Sequence, residues 1–162
     1  MSEAADVLLI AGSPGGSSRG AALLDELAKR LQGDGLSIEH YGLRDFSPEA
    51  LVLGKFDAPD VTAFLAAVRS AKALVFATPV YKAVYSGGLK TIIDLLAPEG
   101  LAGKALLAVA TAKLDAHGAT VDRAFQGLYD FFRGSRRLQT LFLLDGQLEL
   151  EGGTLTLDDA AQ

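Results

Sequence analysis

Residues 7–18 have the sequence Val7-Leu8-Leu9-Ile10-Ala11-Gly12-Ser13-Pro14-Gly15-Gly16-Ser17-Ser18. The first five residues form an apolar run without alternation, which is typical of a strand covered on both faces in a parallel sheet. The glycine- and serine-rich stretch predicts a loop that leads into a helix, because apolar residues then recur at helical spacing: Ala21, Leu24, Leu27, Ala28 and Leu31. A buried strand followed at once by an amphipathic helix indicates an α/β fold.

The rest of the chain continues this alternation. Four further segments have the character of sheet strands: 36–41, 73–77, 104–111 and 138–144. Three further segments carry apolar residues at helical spacing: 61–70, 87–96 and 116–132. Residues 43–59 are interpreted as an irregular connection. This order has the connection lengths that parallel strands need, and it predicts a flavodoxin-like doubly wound parallel sheet in a three-layer α/β/α sandwich.

The C-terminal residues depart from that pattern. Segments 147–151 and 154–157 alternate around Gly152-Gly153 and predict a β-hairpin in place of the helix that normally closes such a sheet. Either a partner subunit covers the free face or the chain is a shortened form. We see no repeat or linker, so residues 1–162 are interpreted as one domain with an atypical tail at 146–162.

Composition excludes several kinds of catalysis. The chain has no cysteine and two histidines, which removes thiolate nucleophiles, disulfides, iron–sulfur clusters and multi-histidine metal centres. The formal net charge of −5 argues against nucleic acid as the main partner. No apolar stretch approaches the roughly 20 residues of a membrane span, and no secretory signal is present, so we expect a cytoplasmic protein. An enzyme of this composition depends on a bound cofactor.

Two segments are candidates for binding that cofactor. The first is 12–20, where glycine backbone, serine hydroxyls and a helix N-terminus favour a phosphate. It is neither a Walker loop nor a G-x-G-x-x-G motif, and its alternative interpretation is a flexible turn with Ser18 as N-cap. The second is 77–90, where Pro79, Val80 and Tyr81 place apolar and aromatic surface after a buried strand. Its alternative is a connector packed against the next helix or a second subunit.

The second segment carries a resemblance to a known family. Thr78-Pro79-Val80-Tyr81-Lys82-Ala83, Tyr85-Ser86-Gly87-Gly88-Leu89-Lys90-Thr91 and Asp94-Leu95-Leu96 resemble the NADPH-dependent FMN reductases. The similarity is greatest to the branch that serves two-component alkanesulfonate monooxygenases. Ala11-Gly12-Ser13-Pro14 with Ser18-Arg19, and Ala110-Thr111, support the match. The resemblance runs in one register from Val7 to about Phe132.

The resemblance implies an oxidoreductase that transfers hydride from NADPH or NADH to N5 of FMN. By matching position, Ser13, Ser18 and Arg19 would hold the FMN phosphate in the loop that Gly20 closes. Pro79, Val80 and Tyr81 would line the ring, with Lys82 in the same block and Thr111 at the polar edge. No residue is assigned as a catalytic acid or base, and no metal is implied. Reduced flavin would pass to a monooxygenase or another acceptor, and the family implies a homodimer or homotetramer.

Three departures from the family pattern keep other functions open. Gly15 stands where members usually have an arginine, Ala112-Lys113 replace two glycines, and Arg123 occupies the place of a tyrosine inserted in the alkanesulfonate branch. We expect these changes to weaken or alter the flavin site. The alternatives are a degenerate flavodoxin-like binding or interaction protein and a flavodoxin-type electron carrier.

Overall fold

The computed structural model describes residues 4–151 and 154–158. Its strands are β1 (Val7–Ala11), β2 (Ile38–Gly42), β3 (Ala73–Tyr81), β4 (Val84–Tyr85), β5 (Ala105–Ala112), β6 (Arg136–Arg137), β7 (Leu141–Leu144), β8 (Leu148–Glu151) and β9 (Thr154–Leu157). Its α-helices are α1 (Arg19–Gly33), α2 (Pro48–Leu53), α3 (Pro59–Ser70), α4 (Gly87–Ile93) and α5 (His117–Phe131). Single 3₁₀ turns span Leu43–Asp45 and Asp145–Gln147.

The central sheet is parallel and has the order β2-β1-β3-β5, with β6 and β7 both paired to β5. β6 pairs with the first two residues of β5 and β7 with its last four, so the two together form one interrupted edge strand. The short β4 is antiparallel to the end of β3. This arrangement confirms the predicted flavodoxin-like fold.

Helices and the C-terminal hairpin form the layers on the two faces of the sheet. Alternate strand residues such as Leu8, Phe76 and Ala108 pack in one cluster with side chains of α2, α3, α4 and α5. The intervening residues, such as Leu9 and Val109, pack in a second cluster with α1, Leu143 and the β8–β9 hairpin. The continuous apolar runs are thus explained by burial on both faces.

The predicted hairpin is present and lies on the same face as α1. β8 and β9 are antiparallel, with Leu148 opposite Leu157 and Glu151 opposite Thr154. Leu148, Leu155 and Leu157 join the α1 cluster. The turn predicted at Gly152-Gly153 lies outside the described residues. Among residues 4–151 and 154–158, no helix is long and apolar enough to cross a membrane.

Several elements differ from the sequence-based interpretation. β3 was predicted to end at Ala77 but continues to Tyr81, where it pairs with β4, a strand that was not predicted. The connection 43–59 contains α2, which begins after the N-cap Ser47 with proline at its first position and ends at Gly54 in the left-handed conformation, φ 61°. The prediction of one strand over 138–144 was wrong in its extent. In the described residues β7 covers only Leu141–Leu144, and the separate β6 precedes it at Arg136–Arg137. Leu138 and Leu141 are 53% and 44% exposed, since this strand lies at the edge of the sheet and pairs on one side.

An ion pair and hydrogen bonds to Asp6 join the starts of three neighbouring strands, β1, β2 and β3. Asp6, next to β1, accepts hydrogen bonds from Lys72 Nζ at 2.7 Å and from Ser37 N and Oγ at 3.0 and 2.8 Å. Lys72 precedes β3 and Ser37 precedes β2. The hydrogen bond from Lys72, followed by those from Ser37, lowers the pKa of the Asp6 carboxyl far below its usual value.

We predict that Asp6→Asn lowers the free energy of unfolding at neutral pH and that its difference from wild type shrinks in acid. A carboxylate with a lowered folded pKa stabilises fully above the unfolded value of about 4 and loses this effect as pH falls further. Urea denaturation at neutral pH and at a pH below about 4 measures the difference. Glu149→Gln is the control, because Glu149 is exposed and its carboxylate has no partner in the described chain. A difference that stays constant with pH would contradict the prediction.

Candidate functional site

The carboxyl ends of β1, β3 and β5 meet at one edge of the sheet. Ala11 is paired with Ala77, and Pro79 is paired with Thr111. The backbone N–H of Gly12 donates to the Ala77 carbonyl at 2.8 Å, which extends the contact between β1 and β3 into the following loop. All three predicted site segments, 13–20, 79–82 and Thr111, are therefore brought to the same edge. In open parallel sheets this edge is the usual place of a ligand.

The loop before α1 and the first turn of the helix contain backbone donors without partners among the described residues. Ser18 is the N-cap, and its Oγ accepts from Ala21 N at 3.1 Å. Ser13 Oγ accepts from Gly15 N at 3.3 Å. Six other N–H groups make no hydrogen bond with any described residue: those of Ser13, Gly16, Ser17, Ser18, Arg19 and Gly20. Free N–H groups in a loop and at the start of a 15-residue helix suit an anion.

Arg19 is placed differently from the other residues of this loop. Its Nε donates to the Leu148 carbonyl at 3.1 Å, and its Nη1 lies 4.0 Å from Asp145 Oδ2. The guanidinium therefore joins the start of α1 to the segment that leads into β8. Gly20 is buried, and a Cβ there would make ordinary contact with Ala77 at 3.6 Å.

The exit of β3 is a tight antiparallel hairpin. Val80 is paired with Tyr85 and Tyr81 with Val84, so only Lys82 and Ala83 form the turn. Both turn residues have positive φ, 52° and 74° respectively. Two consecutive positive φ values characterise a type I′ turn, which favours glycine or asparagine. Pro79 and Val80 are half-buried, whereas Tyr81 is 50% exposed, so the turn presents an aromatic ring at the edge of the sheet.

Thr111 offers a free polar group at the end of β5. It is 6% exposed, and its hydroxyl makes no hydrogen bond with any described residue. The oxygen itself reaches solvent, because the fully buried side-chain polar atoms without a partner in the described chain are His117 Nδ1 and Tyr129 OH, so the Thr111 hydroxyl is open to a ligand. Ala112 is also buried and pairs with Leu144, whereas Lys113 is exposed. The expectation that these two residues crowd a flavin stays a prediction.

A buried serine connects the two candidate loops. Ser86, the N-cap of α4, is 1% exposed; its Oγ donates to the Gly12 carbonyl and accepts from Leu89 N at 3.0 Å. Its own N–H donates to Thr78 Oγ1 at 2.8 Å. Sequence reasoning saw Ser86 as part of the second segment but not this link. The N-cap pattern was visible, whereas the contact with Gly12 depends on the strand order.

Sequence reasoning also missed a cation beside the first loop. A Cβ added to Gly16 would lie 3.4 Å from Arg44 Cζ and 3.5 Å from both terminal guanidinium nitrogens. Arg44 belongs to the 3₁₀ turn Leu43–Asp45, within the stretch interpreted as irregular. No local pattern marks it, because its proximity to Gly16 follows from the pairing of β1 with β2.

A groove of about 750 Å³ lies at the opposite end of the strands, beside the start of β5. Its walls come from α3 and from residues 94–100, which follow α4. Lys104, next to the start of β5, lines it and donates to the carbonyls of Arg69 and Ala71 at 3.0 and 2.6 Å. The groove is thus separated from the candidate site by the length of the strands.

We predict that Ser86→Ala lowers the free energy of unfolding by about 1–3 kcal/mol, because it leaves the buried Gly12 carbonyl without its donor. Chemical denaturation measures the change. The control is Ser70→Ala, which removes an exposed hydroxyl that bonds back to Ala66 in α3. Equal effects of the two substitutions would show that the link is not important for stability.

We predict opposite effects of the same substitution at two alanines. Ala83→Gly raises the free energy of unfolding by up to about 1 kcal/mol, because it relieves positive φ. Ala66→Gly, at an exposed position inside α3, lowers it by about 0.5–1 kcal/mol. Thermal melts of both variants measure the effects. A destabilising Ala83→Gly would contradict the strained turn.

Comparison with known proteins identifies a family. The family model described as NADPH-dependent FMN reductase matches residues 5–147. The chain is 38% identical over 142 residues to "FMN reductase (NADPH)" of Escherichia coli (strain K12), covering 88% of this chain and 74% of the relative. It is 27% identical over 131 residues to "NADH-dependent FMN reductase SfnF" of Pseudomonas putida, covering 78% of this chain and 70% of the relative.

Solved structures lead to the same family. The apo form of the NADH:FMN oxidoreductase EmoB superposes with a TM-score of 0.77 at 29% identity, covering 88% of this chain and 77% of that one. The family match includes the loop before α1 and the β3 exit and ends at Gln147, one residue before β8. The chain belongs to the NADPH-dependent FMN reductase family.

Proposed function

We propose that this protein catalyses the reduction of FMN by NADPH or NADH. The observation that carries the proposal is the set of six unpaired backbone N–H groups between Ser13 and Gly20, at the edge where a member of this family would hold its flavin. Held by the loop before α1 and the β3 exit, FMN would supply the redox chemistry, by taking up a hydride from the nicotinamide together with a proton. The protein's part is to bind and orient the two molecules.

The phosphate would bind in the loop before α1. The free N–H groups and the positive end of the α1 dipole favour a dianion there. The hydroxyls of Ser13 and Ser18 accept bonds from the backbone but keep their own protons to donate. Arg19 is part of the proposed site, although its guanidinium also contacts Leu148, so its contribution is shared with the C-terminal segment.

The ring would bind beside the exit of β3. Pro79, Val80 and Tyr81 supply apolar and aromatic surface, and Lys82 stands in the adjacent turn. Thr111 lies opposite Pro79 and has a free hydroxyl for the polar edge of the ring. The type I′ turn keeps Tyr81 and Lys82 in a fixed geometry, which limits the conformational freedom lost on binding.

The proposal also covers the location of the enzyme, its oligomeric state and the acceptor of the reduced flavin. We place the enzyme in the cytoplasm as a homodimer or homotetramer that delivers reduced flavin to a monooxygenase or another acceptor. The exposed ring of Phe131 beside the groove between α4 and α5 supports contact with a second chain. One domain over residues 1–162 is supported by the two core clusters that share a single sheet.

A second candidate is a binding or interaction protein that retains flavin without turnover. Ala112-Lys113 favour it, because they follow Thr111 at the proposed polar edge, where family members usually have two glycines. Gly15 favours it too, since the loop from Ser13 to Ser18 carries no cation of its own.

We predict that the purified protein quenches FMN fluorescence and oxidises NADPH or NADH when FMN is added. Thr111→Val should raise the Kd for FMN about three- to tenfold, because it removes a hydroxyl that has no protein partner. Thr120→Val, on the exposed surface of α5, is the matched control.

Three outcomes separate the candidates. Quenching with turnover supports the reductase, and quenching without turnover supports the second candidate. The absence of both FMN quenching and NADPH or NADH oxidation at saturating FMN would refute both candidates. Equal effects of the two threonine substitutions would place the flavin away from the end of β5.

A further inference from the structure

The proposed phosphate loop has no cation within its own sequence. Between Ser13 and Ser18 the loop contains only serine, proline and glycine. The next residue, Arg19, shares its guanidinium with the Leu148 carbonyl and the Asp145 carboxylate. A phosphate monoester carries close to two negative charges at neutral pH, and such groups are usually paired with arginine or lysine.

Arg44 lies across the loop from a neighbouring strand. β2 is parallel to β1, and Gly42 at its end is paired with Ala11, so both following segments leave the same edge of the sheet. Arg44 Cζ and both terminal nitrogens are nearly equidistant, 3.4 to 3.5 Å, from the Cβ position of Gly16. This geometry places the flat face of the guanidinium on Gly16. Its N–H groups, which lie in the plane, remain free to donate.

The turn that carries Arg44 is held in place at two points. Leu43 packs so closely on Gly88 in α4 that a Cβ there would lie 2.5 Å from Leu43 Cδ1. Asp45 Oδ2 accepts a hydrogen bond from Gly42 N at 2.7 Å, which closes the turn. The residues on both sides of Arg44 are thus anchored, which fixes the backbone from which its side chain reaches Gly16.

Arg44 differs from Arg19 in having no acidic partner. Its exposed guanidinium makes no ion pair or hydrogen bond with residues 4–151 or 154–158. The adjacent carboxylate of Asp45 is directed to the backbone of Gly42 instead. Within the described residues, an arginine without a partner thus lies beside Gly16, in the loop whose backbone N–H groups are also without partners. Such a cation is suited to pair with an anion bound by that loop.

We propose that Arg44 is the cation that binds the phosphate of the flavin, and that Arg19 mainly joins α1 to the C-terminal segment. This inference rests on the proposed function, since it assigns the ligand of the same site. The phosphate of FMN and the 2′-phosphate of NADPH share the required chemistry. The proximity of the guanidinium to Gly16, beside the free N–H groups, favours the flavin phosphate.

The test compares FMN with riboflavin, which has the same ring and no phosphate. We expect Arg44→Gln to raise the Kd for FMN about tenfold or more, measured by fluorescence quenching, while the Kd for riboflavin stays within about twofold. Arg44→Lys should recover part of the loss, because it keeps the charge without the planar fork. Arg69→Gln is the control, since this exposed arginine lies in the last turn of α3, at the other end of the strands from the proposed site.

The outcomes distinguish this inference from the proposed function. Unchanged FMN affinity in Arg44→Gln, with normal binding by wild type, overturns the role of Arg44 alone. Equal losses for FMN and riboflavin also overturn it, because the phosphate would not be involved. A raised KM for NADPH but not for NADH, with unchanged FMN binding, assigns Arg44 to the nicotinamide cofactor and overturns it as well. If wild type binds neither flavin, the proposed function fails together with this inference.

Discussion

The hydrogen bond from Ser86 to the Gly12 carbonyl is the contact on which the arrangement of the site depends. It is buried, and the same hydroxyl accepts from Leu89 N and so also caps α4. The Ser86 N–H donates to Thr78, inside β3. Through its hydroxyl and its backbone N–H, Ser86 therefore joins the end of β1, β3 and the start of α4. A buried carbonyl left without this donor would be costly, so the three elements keep a single relative position.

This contact requires close approach of backbones, and the glycines on either side allow it. A Cβ on Gly12 would lie 2.4 Å from Leu89 Cβ, and one on Gly88 would lie 3.2 Å from the Gly12 carbonyl oxygen. Gly88 also receives the side chain of Leu43, so the start of α4 contacts the turn after β2 as well. Through these contacts α4 sets the spacing between the loop before α1, the turn with Arg44 and the β3 exit. The site is thus assembled around a helix terminus that supplies none of the proposed ligand contacts.

The parts of the fold predicted from the sequence were those decided locally. The apolar runs of β1, β3 and β5 are buried on both faces, and this burial is what makes them continuous in the sequence. At the edge of the sheet the same reasoning fails. Leu138 is apolar but exposed, so hydrophobicity did not delimit β6 and β7. The short α2 was missed although its capping residues are clear, because a six-residue helix has too short an apolar pattern to be identified.

The site residues also divide into those that a local sequence pattern marks and those that only the strand order brings together. Those in the segments after β1 and β3 could be found because each lies in a recognisable loop next to a buried strand. The proximity of Arg44 to Gly16, and the bond between Ser86 and Gly12, connect residues that are 28 and 74 positions apart in the sequence. Such pairs follow from the strand order β2-β1-β3, which places three chain segments at one edge. A single sequence contains the residues of these pairs but no signal that joins them.

The C-terminal hairpin lies outside the set of elements that carry the proposed site. It lies on the α1 face and contributes Leu148, Leu155 and Leu157 to the second core cluster. The edge that carries the proposed site is built from β1, β2, β3, β5 and the start of α4, none of which belongs to the hairpin. The described contact between the two regions runs through Arg19, which reaches Leu148 and Asp145. This contact joins the guanidinium at the start of α1 to the C-terminal segment, whereas the buried hydroxyl of Ser86 holds the end of β1.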